Sequence, residues 1–487
     1  MNDFNHYLDT YGEIGFVDSS FYSIVYVSGL PQVHPSEIVV FETGDIGQVL
    51  TLTPGFSEIL LLTNAQLRVG SKVVRTGKSF EVPVGTELLG RVINPLGYPR
   101  DKGKVLTSLK TRLVDTDPPK ILERTQVQKP LETGVTLVDL VVPLGRGQRE
   151  LIIGDRKTGK TEFLLQTILT QASYGTICIY AVIGQKQIDI QKLTEFFQDR
   201  KIAKTTIIVA SSSSDPSGLI YLTPYTAMAI AEFFRDQGKE VLLILDDLTS
   251  HARCYREISL LAKRFPGRSA YPGDIFYLHA RLLERAGNFK NGSITALPLA
   301  ESILGDLSGF VQTNLMSMTD GHIFFDIELF NQGKRPAVNP FLSVSRVGHQ
   351  TQSPLLRDVS REVSIFLVSY ERMKQFLHFG AEVGENARKI LALGEKLDVF
   401  FNQSSEMIIP VTINVVILAA LWAGIWNETR KEDLKREMES IILTYQTNTN
   451  YKKQFDDLIF SSKLFADLVN YLRRNSEVVT SVLRRGG

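Results

Sequence analysis

Residues 154–161 read Gly-Asp-Arg-Lys-Thr-Gly-Lys-Thr, a complete phosphate-binding loop motif. Its two glycines, Gly154 and Gly159, allow the backbone to wrap around a chain of phosphates. Lys160 is placed to reach the terminal phosphate oxygens, and the Thr161 hydroxyl is placed to ligate Mg²⁺. The residues predicted to contact the phosphates are therefore Gly154, Asp155, Arg156, Lys157, Thr158, Gly159, Lys160 and Thr161.

The sequence on either side of the loop has the order that the motif requires. The apolar run 150–153 predicts a short strand before it, and residues 162–171 predict a helix after it. A second apolar run, 241–245, ends in Asp246 and Asp247. Read alone, this pair could be the solvated end of a core strand. Downstream of an intact phosphate loop, Asp246 is instead predicted to hold a water bound to Mg²⁺.

A third feature concerns catalysis. Gln185 follows the next apolar run after the loop, at a position where a hydrolytic protein would carry a carboxylate base. An amide cannot accept a proton from an attacking water. The sequence therefore predicts a site that holds ATP or ADP without hydrolysing it.

Length and composition indicate a protein of several domains. With 487 residues the chain is too long for one core, and about three domains are expected. The 54 basic and 53 acidic residues leave a net charge of +1, so no global field indicates a nucleic-acid partner. Cys178 and Cys254 are too few for a disulfide framework or a zinc cluster, and they are expected to be buried thiols.

Patterning along the chain predicts three domains of different class. Residues 1–83 contain short β-rich runs separated by Gly, Pro and Asn turns, which indicates an N-terminal β-barrel. Residues 84–352 alternate apolar strands with longer amphipathic segments, as in a central α/β P-loop nucleotide-binding domain. Residues 353–487 show helical periodicity and predict a C-terminal α-helical domain.

Two segments bear on membrane insertion. Residues 407–427 carry no charge and reach the length of about twenty residues that a membrane helix needs. Pro410, Asn414 and Gly424 interrupt this stretch and no second span follows, so a buried helix of the last domain is the preferred interpretation. Residues 1–9 lack the features of a targeting peptide, and we expect the protein to stay where it is made.

Residues 343–348 form a strand-like run with a single arginine, Arg346. Most arginines of this kind are solvated or form a surface ion pair. The segment by itself leaves that interpretation and a catalytic role both open.

Several segments in one order resemble a known family. Together they make the chain similar to the alpha subunits of F-type rotary ATP synthases over nearly its whole length, and they imply a RecA-like nucleotide-binding domain. The matching segments are residues 143–150, 264–285, 292–298, 319–324 and 335–339, the last leading into Arg346.

The resemblance implies a division of labour between subunits. In this family alpha and beta subunits alternate in a ring around a central gamma subunit, and only beta-type sites make or hydrolyse ATP. Gln185 occupies the position of the beta-type catalytic glutamate. Arg346 matches the alpha-subunit arginine that reaches the neighbouring beta site and stabilises the transferred phosphoryl group. Arg335 and Gln403 fall where alpha subunits pack the adenine of their own nucleotide, the alternative for both being a solvated loop residue.

The resemblance also implies a location. The complex would couple proton or other ion transport to ATP chemistry at the cytoplasmic side of an energy-transducing membrane, either a bacterial plasma membrane or an organelle inner membrane. This subunit would contact the membrane only through other subunits. A peripheral stalk would hold the head, and we expect its attachment to differ here because strands begin near residue 13 and leave little chain for the usual N-terminal helix.

Three residues depart from the family pattern. Lys157 adds a cation beside the phosphates, Glu162 adds an anion close to the inner phosphates, and Ser405 stands where a second glutamine is usual near the adenine. These departures leave the occupancy of the chain's own nucleotide site open.

Two other functions compete with this interpretation. A self-sufficient hexameric P-loop ATPase, such as a secretion-system ATPase, would need a base where Gln185 stands. An RNA-translocating hexamer like the Rho terminator would need a basic patch interleaved with aromatic residues, which the near-zero net charge disfavours.

Overall fold

The computed structural model describes residues 4–106, 109–378 and 384–484. Residues 1–3 and 485–487, at the ends of the predicted outer domains, lie outside these ranges. Along the described chain an antiparallel barrel, a mostly parallel sheet covered by helices, and a group of helices follow one another. This is the predicted order of fold classes.

Antiparallel strands close the N-terminal barrel. Its elements are α1 (Phe4–Tyr11), β1 (Gly15–Phe21), β2 (Ile24–Ser28), β3 (Glu37–Phe41), β4 (Ile46–Leu52), β5 (Ser57–Leu61) and β6 (Lys72–Ser79). The strands are ordered β1-β2-β5-β4-β3-β6, and β6 pairs back on β1. Val25, Val39 and Ile59 are fully buried inside. Closure pairs the edge strands with each other, which protects them from pairing with another chain.

The central domain alternates strands with helices. Its strands are β7 (Glu81–Val84), β8 (Val92–Ile93), β9 (Lys110–Leu113), β10 (Pro130–Leu131), β11 (Leu144–Gly145), β12 (Glu150–Gly154), β13 (Ile177–Gln185), β14 (Thr206–Ser212), β15 (Glu240–Asp246), β16 (Gly287–Phe289), β17 (Gly292–Glu301), β18 (Gly321–Phe325) and β19 (Val344–Ser345). Its α-helices are α2 (Thr136–Val141), α3 (Lys160–Ser173), α4 (Gln187–Asp199), α5 (Ser217–Asp236), α6 (Leu248–Leu261), α7 (Ile275–Leu283), α8 (Phe310–Met318), α9 (Ile327–Asn331) and α10 (Gly348–Thr351).

The main sheet of this domain has the strand order β19-β18-β12-β17-β15-β13-β14-β8, with β16 paired to β17. All neighbours from β18 to β8 are parallel, whereas β19 and β16 are antiparallel to their partners. Helices cover both faces, so strands such as β13 and β15 are apolar along their length instead of alternating. Because the strands are parallel, their carboxyl ends meet at one end of the sheet, where ligands bind in folds of this class.

The C-terminal domain is helical in its described residues. Its helices are α11 (Pro354–His378), α12 (Glu385–Phe401), α13 (Val411–Ala423), α14 (Lys431–Thr447), α15 (Thr449–Ser461), α16 (Phe465–Arg474) and α17 (Glu477–Arg484). The uncharged α13 begins after Pro410, ends at Gly424 and is buried among the others, as predicted for residues 407–427. Among the residues that the structure describes, none forms a helix both long and apolar enough to cross a bilayer.

Candidate functional site

The phosphate loop joins β12 to α3 at the carboxyl end of the sheet. A Cβ at Gly154 would lie 2.3 Å from the carbonyl oxygen of Phe325, so the close approach requires glycine. Gly159 caps α3 with a φ of +93°, a left-handed conformation that favours glycine. The Phe163 amide donates to the Gly159 carbonyl and starts the helix, so the amides before it have no helical partner. This cradle of amides at a helix N-terminus fits a phosphate group.

Lys160 folds back over the cradle. Its Nζ donates hydrogen bonds to the carbonyl oxygens of Gly154 at 2.8 Å and Asp155 at 2.5 Å. Burial lowers the pKa of Lys160, and nearby carboxylates, of which Glu301 has the largest effect, oppose that shift. The ammonium group thus lies at the loop that the motif assigns to phosphate.

Other side chains of the loop bond to the end of β17, to the residue after it, or within the loop itself. Asp155 accepts a hydrogen bond from the Ser302 hydroxyl. Arg156 donates twice to Glu301, at 2.7 and 3.0 Å. Thr158 is buried and donates to the Asp155 carbonyl at 2.8 Å. Asp155, Arg156 and Thr158 therefore hold the loop in shape from within the chain.

Three side chains at the start of α3 and the tip of the loop face solvent. Lys157, Thr161 and Glu162 are exposed, and none has a side-chain hydrogen bond or ion pair to a residue that the structure describes. The Glu162 Oε2 lies 4.0 Å from the place that a Cβ on Gly159 would take, so this carboxylate borders the cradle. An anion there opposes a phosphate ligand, and the cation of Lys157 favours one.

Gln185 and Asp246 lie side by side at the ends of β13 and β15. Asp246 is buried, and its Oδ2 accepts a hydrogen bond of 2.6 Å from the Tyr180 hydroxyl. Gln185 donates from Nε2 to the backbone carbonyl of Asp246 at 3.3 Å. Burial raises the pKa of Asp246, and the hydrogen bonds from Tyr180 and Gln185 oppose the shift. The Gln185 amide is thus held as a donor toward β15.

The other carboxylates near the loop are engaged as well. Asp247 caps α6 by accepting from the Ser250 amide at 2.6 Å, and burial is the main cause that raises its pKa to about 7. Glu301 contacts both Arg156 and Arg253. Burial alone would raise the pKa of Glu301, but these two guanidinium groups bring it below its usual value. Each of these carboxylates already has a structural partner.

The donor set suits a magnesium ion that arrives with a nucleotide. No group of three or more His, Cys, Asp or Glu side chains in the described ranges is arranged to hold a metal ion alone. The exposed Thr161 hydroxyl and the Asp246 carboxylate are both oxygen donors, which Mg²⁺ prefers together with water and phosphate. These residues therefore fit the predicted ion only as part of a nucleotide complex.

Arg335 and Gln403, the residues predicted to lie near an adenine, have different surroundings. Arg335 lines a cavity of about 290 Å³, and its guanidinium carbon lies 3.6 Å from the centre of the Phe330 ring. Gln403 is buried, accepts from the Thr136 amide at 2.9 Å and donates to the Gly134 carbonyl at 2.7 Å. Its amide joins the helical domain to the central domain. Gln403 could contact a ligand only if its hydrogen bonds to Thr136 and Gly134 were broken and replaced by bonds to the ligand.

Arg346 directly follows the edge strand β19. Its side chain is exposed and forms no hydrogen bond or ion pair with any residue that the structure describes. Ser345 pairs with Gly321, and Gly321 pairs with Glu150, the first residue of β12. The phosphate loop starts at the other end of that strand, at Gly154, and four residues of strand span about 13 Å. Arg346 therefore lies at the opposite end of the sheet from the chain's own phosphate loop.

Some residues that contact the site were not predicted. Glu301 and Ser302 are the first polar residues after the apolar run of β17, the same signal that marked Asp246, and could have been found in that way. Tyr180 stands inside an apolar strand, 66 residues before Asp246, and nothing in the sequence indicates that the two meet.

Comparison with known proteins decides the family. Residues 134–345 match the model of the ATP synthase alpha/beta family, nucleotide-binding domain, and residues 352–474 match that of the ATP synthase alpha/beta chain, C terminal domain. The chain belongs to the ATP synthase alpha/beta family. Similar proteins include the ATP synthase subunit alpha of Staphylococcus aureus (strain bovine RF122) and of Staphylococcus epidermidis (strain RP62A). They are 43% and 42% identical over 418 residues, which cover 85% of this chain and 83% of each relative.

Membership in the ATP synthase alpha/beta family confirms the predicted resemblance and architecture. The relatives are named alpha subunits, as the sequence segments predicted. The phosphate loop, Gln185 and Asp246 lie within the matched nucleotide-binding range, whereas Arg346 lies between the two matched ranges. The roles of these individual residues stay predictions.

Proposed function

We propose that this chain is a nucleotide-binding, non-catalytic subunit of alpha type in the head of a rotary ATP synthase, and that Arg346 completes the catalytic site of a neighbouring subunit. The observation that carries this proposal is the position of Arg346. It is exposed, its side chain forms no hydrogen bond or ion pair with the described residues, and it lies at the far end of the strands from the chain's own phosphate loop. An arginine so placed would be free to contact a phosphoryl group on another chain, as arginine fingers do.

The arrangement of the chain's own site supports a non-catalytic role. Gln185 donates a hydrogen bond to the Asp246 carbonyl, and an amide cannot take a proton from water. The nearby buried carboxylates are engaged: Asp246 with Tyr180, and Asp247 with the first turn of α6. Each of these two carboxylates thus has a structural role within the chain.

We propose that the site holds ATP or ADP with Mg²⁺. The amides at the start of α3 and the Lys160 ammonium would bind the phosphates, and Thr161 and Asp246 would hold the ion, directly or through water. Bound Mg²⁺ neutralises part of the phosphate charge. Arg335 would pack against the adenine in the cavity that it lines, and Gln403 would join it after exchanging its present partners.

The proposed partners are beta subunits that alternate with this chain in a ring, a central gamma subunit and a peripheral stalk. The complex would lie at the cytoplasmic side of an energy-transducing membrane and couple ion transport to ATP synthesis or hydrolysis. We propose domain boundaries at residues 83/84 and 352/353; the first falls inside β7 (Glu81–Val84), the first strand of the central domain, and the second lies just before α11, which starts at Pro354.

The test is turnover by the assembled complex. The chain is co-expressed with its organism's beta and gamma subunits, and Arg346→Ala is compared with Arg68→Ala, an exposed barrel arginine that also lacks a described side-chain partner. Arg346→Ala should lower the multi-site ATPase rate by about a thousandfold, as for loss of an arginine finger, while assembly is unchanged. Arg68→Ala should leave the rate at the wild-type value. Normal turnover of an assembled Arg346→Ala complex would refute the proposal.

A further inference from the structure

A buried carboxyl group lies beneath the strand that carries Arg346. Glu150, Gly321 and Ser345 stand in one row across β12, β18 and β19. A Cβ on Gly321 would lie 2.7 and 2.8 Å from the two Glu150 carboxyl oxygens and closer still to the Val344 carbonyl. The Glu150 carboxyl group therefore fills the space that Gly321 leaves open, next to the backbone of β19.

Glu150 is joined to β19 through one intermediate side chain. It has no exposed surface, and its Oε2 accepts a hydrogen bond of 2.6 Å from Gln148 Nε2. The same nitrogen donates to the Ser345 hydroxyl at 3.2 Å. The other carboxyl oxygen, Oε1, is buried without a partner. Burial raises the pKa of Glu150 well above its usual value, although the bond from Gln148 and the positive charge of Arg346 oppose this.

The network reaches the backbone on both sides of Arg346. The Ser345 hydroxyl donates to the Pro143 carbonyl at 2.5 Å and accepts from the Gly348 amide at 3.3 Å. β19 itself is only two residues long, so its ladder gives the segment little support. A buried acid with an unpartnered oxygen is costly in a protein interior. If residue 150 served only to pack the interior, an apolar side chain would stabilise the fold more than this acid does.

We propose that Glu150 is a positioning residue for Arg346: through Gln148 and Ser345 it sets where the edge strand presents the arginine to the neighbouring subunit. This inference rests on the proposed function of Arg346. Glu150, the first residue of β12, would thus act in the neighbour's reaction. This role is separate from that of the phosphate loop, which starts at the other end of the same strand.

The test is a double-mutant cycle in the assembled complex. Glu150→Leu removes the acceptor while keeping similar volume, and Glu150→Gln keeps a polar group of the same shape. Glu150→Leu should lower kcat of multi-site turnover by about tenfold with unchanged KM, because a small misplacement of a catalytic group costs rate. Glu150→Gln, which keeps an acceptor for the Gln148 amide, should have a kcat within about twofold of wild type.

The second part of the cycle measures the effect of Glu150→Leu in the Arg346→Ala background. If Glu150 acts through Arg346, Glu150→Leu should cause no further loss there, since the group that it positions is already gone. A further tenfold loss in that background, or normal kcat of Glu150→Leu alone, would exclude the positioning role. Normal turnover of Arg346→Ala would instead refute the proposed function, so the two failures are distinct. If Glu150→Leu does not assemble, Gln148→Met in the same two backgrounds decides, with the same outcomes.

Discussion

Basic side chains at the two ends of the central strands differ in their contacts. At the carboxyl end, Lys160 is bonded to loop carbonyls and Arg156 to Glu301. At the opposite end, Arg346 is exposed and its side chain forms no hydrogen bond or ion pair with the described residues. The first end is a site whose framework this chain holds by itself. Under the proposed function the second end contributes to a neighbour's site, and an exposed charge without an ion pair adds little to the stability of its own chain.

The largest effect is expected from a conservative change at the edge. Arg346→Lys keeps the charge but loses the planar fork that contacts two phosphate oxygens. We expect the multi-site ATPase rate of the assembled complex to fall by about a hundredfold, with assembly and nucleotide content unchanged. A rate within a few-fold of wild type would show that Arg346 acts only as a local charge, and the contrast between the two ends would disappear.

The next largest effect belongs to the loop end and should be seen without partners. Lys160→Ala should weaken binding of Mg-ATP to the isolated chain by about thirtyfold, as for loss of a charge-assisted hydrogen bond. Calorimetric titration measures this, with Arg346→Ala as the matched control that should bind normally. Hydrolysis by the isolated chain should be negligible. Robust hydrolysis that disappears in Lys160→Ala would mean that the site is catalytic after all.

A third prediction concerns the stability of the chain itself. Burial raises the pKa of Asp139 from 3.8 to about 7, against hydrogen bonds from Thr133 and Gly134. Between pH 3.8 and about 7, Asp139 keeps its proton in the folded state but has released it in the unfolded chain. The stabilising contribution is therefore fully present below pH 3.8 and is lost as the pH rises through about 7.

Asp139→Asn removes this titration. Between pH 5 and pH 8 the wild-type chain should lose roughly 2–3 kcal/mol more unfolding free energy than Asp139→Asn, as followed by denaturant titration. Arg68→Ala, which removes an exposed charge that has no side-chain hydrogen bond or ion pair with the described residues, should follow the wild-type pH dependence. Equal pH slopes for the wild type and Asp139→Asn would contradict the prediction.

The smallest effect is expected from the two exposed charges at the loop. Glu162→Ser should tighten nucleotide binding and Lys157→Gln should weaken it, each by about threefold, because exposed charges are screened by solvent. Both changes should shrink when salt is raised from low concentration to about 1 M. Affinities that do not respond to either substitution would show that these side chains point away from the ligand.

Local features of this protein were predictable because they depend on neighbours in sequence. The helical periodicity of residues 353–487 predicted the helical domain, and the uncharged stretch 407–427, which Pro410 and Gly424 interrupt, contains the buried helix α13 (Val411–Ala423). The phosphate loop follows from a fixed spacing of glycines, lysine and threonine. Cys178 and Cys254 are buried free thiols, as predicted from the small number of cysteines.

The partners of the site residues were not predictable in the same way. Gln403 was expected near an adenine, yet its present bonds run to Thr136 and Gly134, more than 260 residues earlier in the chain. Tyr180 and Asp246 meet because β13 and β15 are neighbours in the sheet. Such contacts depend on the order of strands in the sheet, which local sequence patterns do not predict.

The sequence by itself determined the fold classes, the phosphate loop and the amide at Gln185, because each of these features depends on residues that are close together in the chain. Only the tertiary structure decided that Arg346 stands at the far end of the sheet from that loop, without a described partner and above the buried Glu150. The physical reason is register. Glu150, Gly321 and Ser345 share one row only after three distant strands pair, and that pairing fixes which charges meet within the chain.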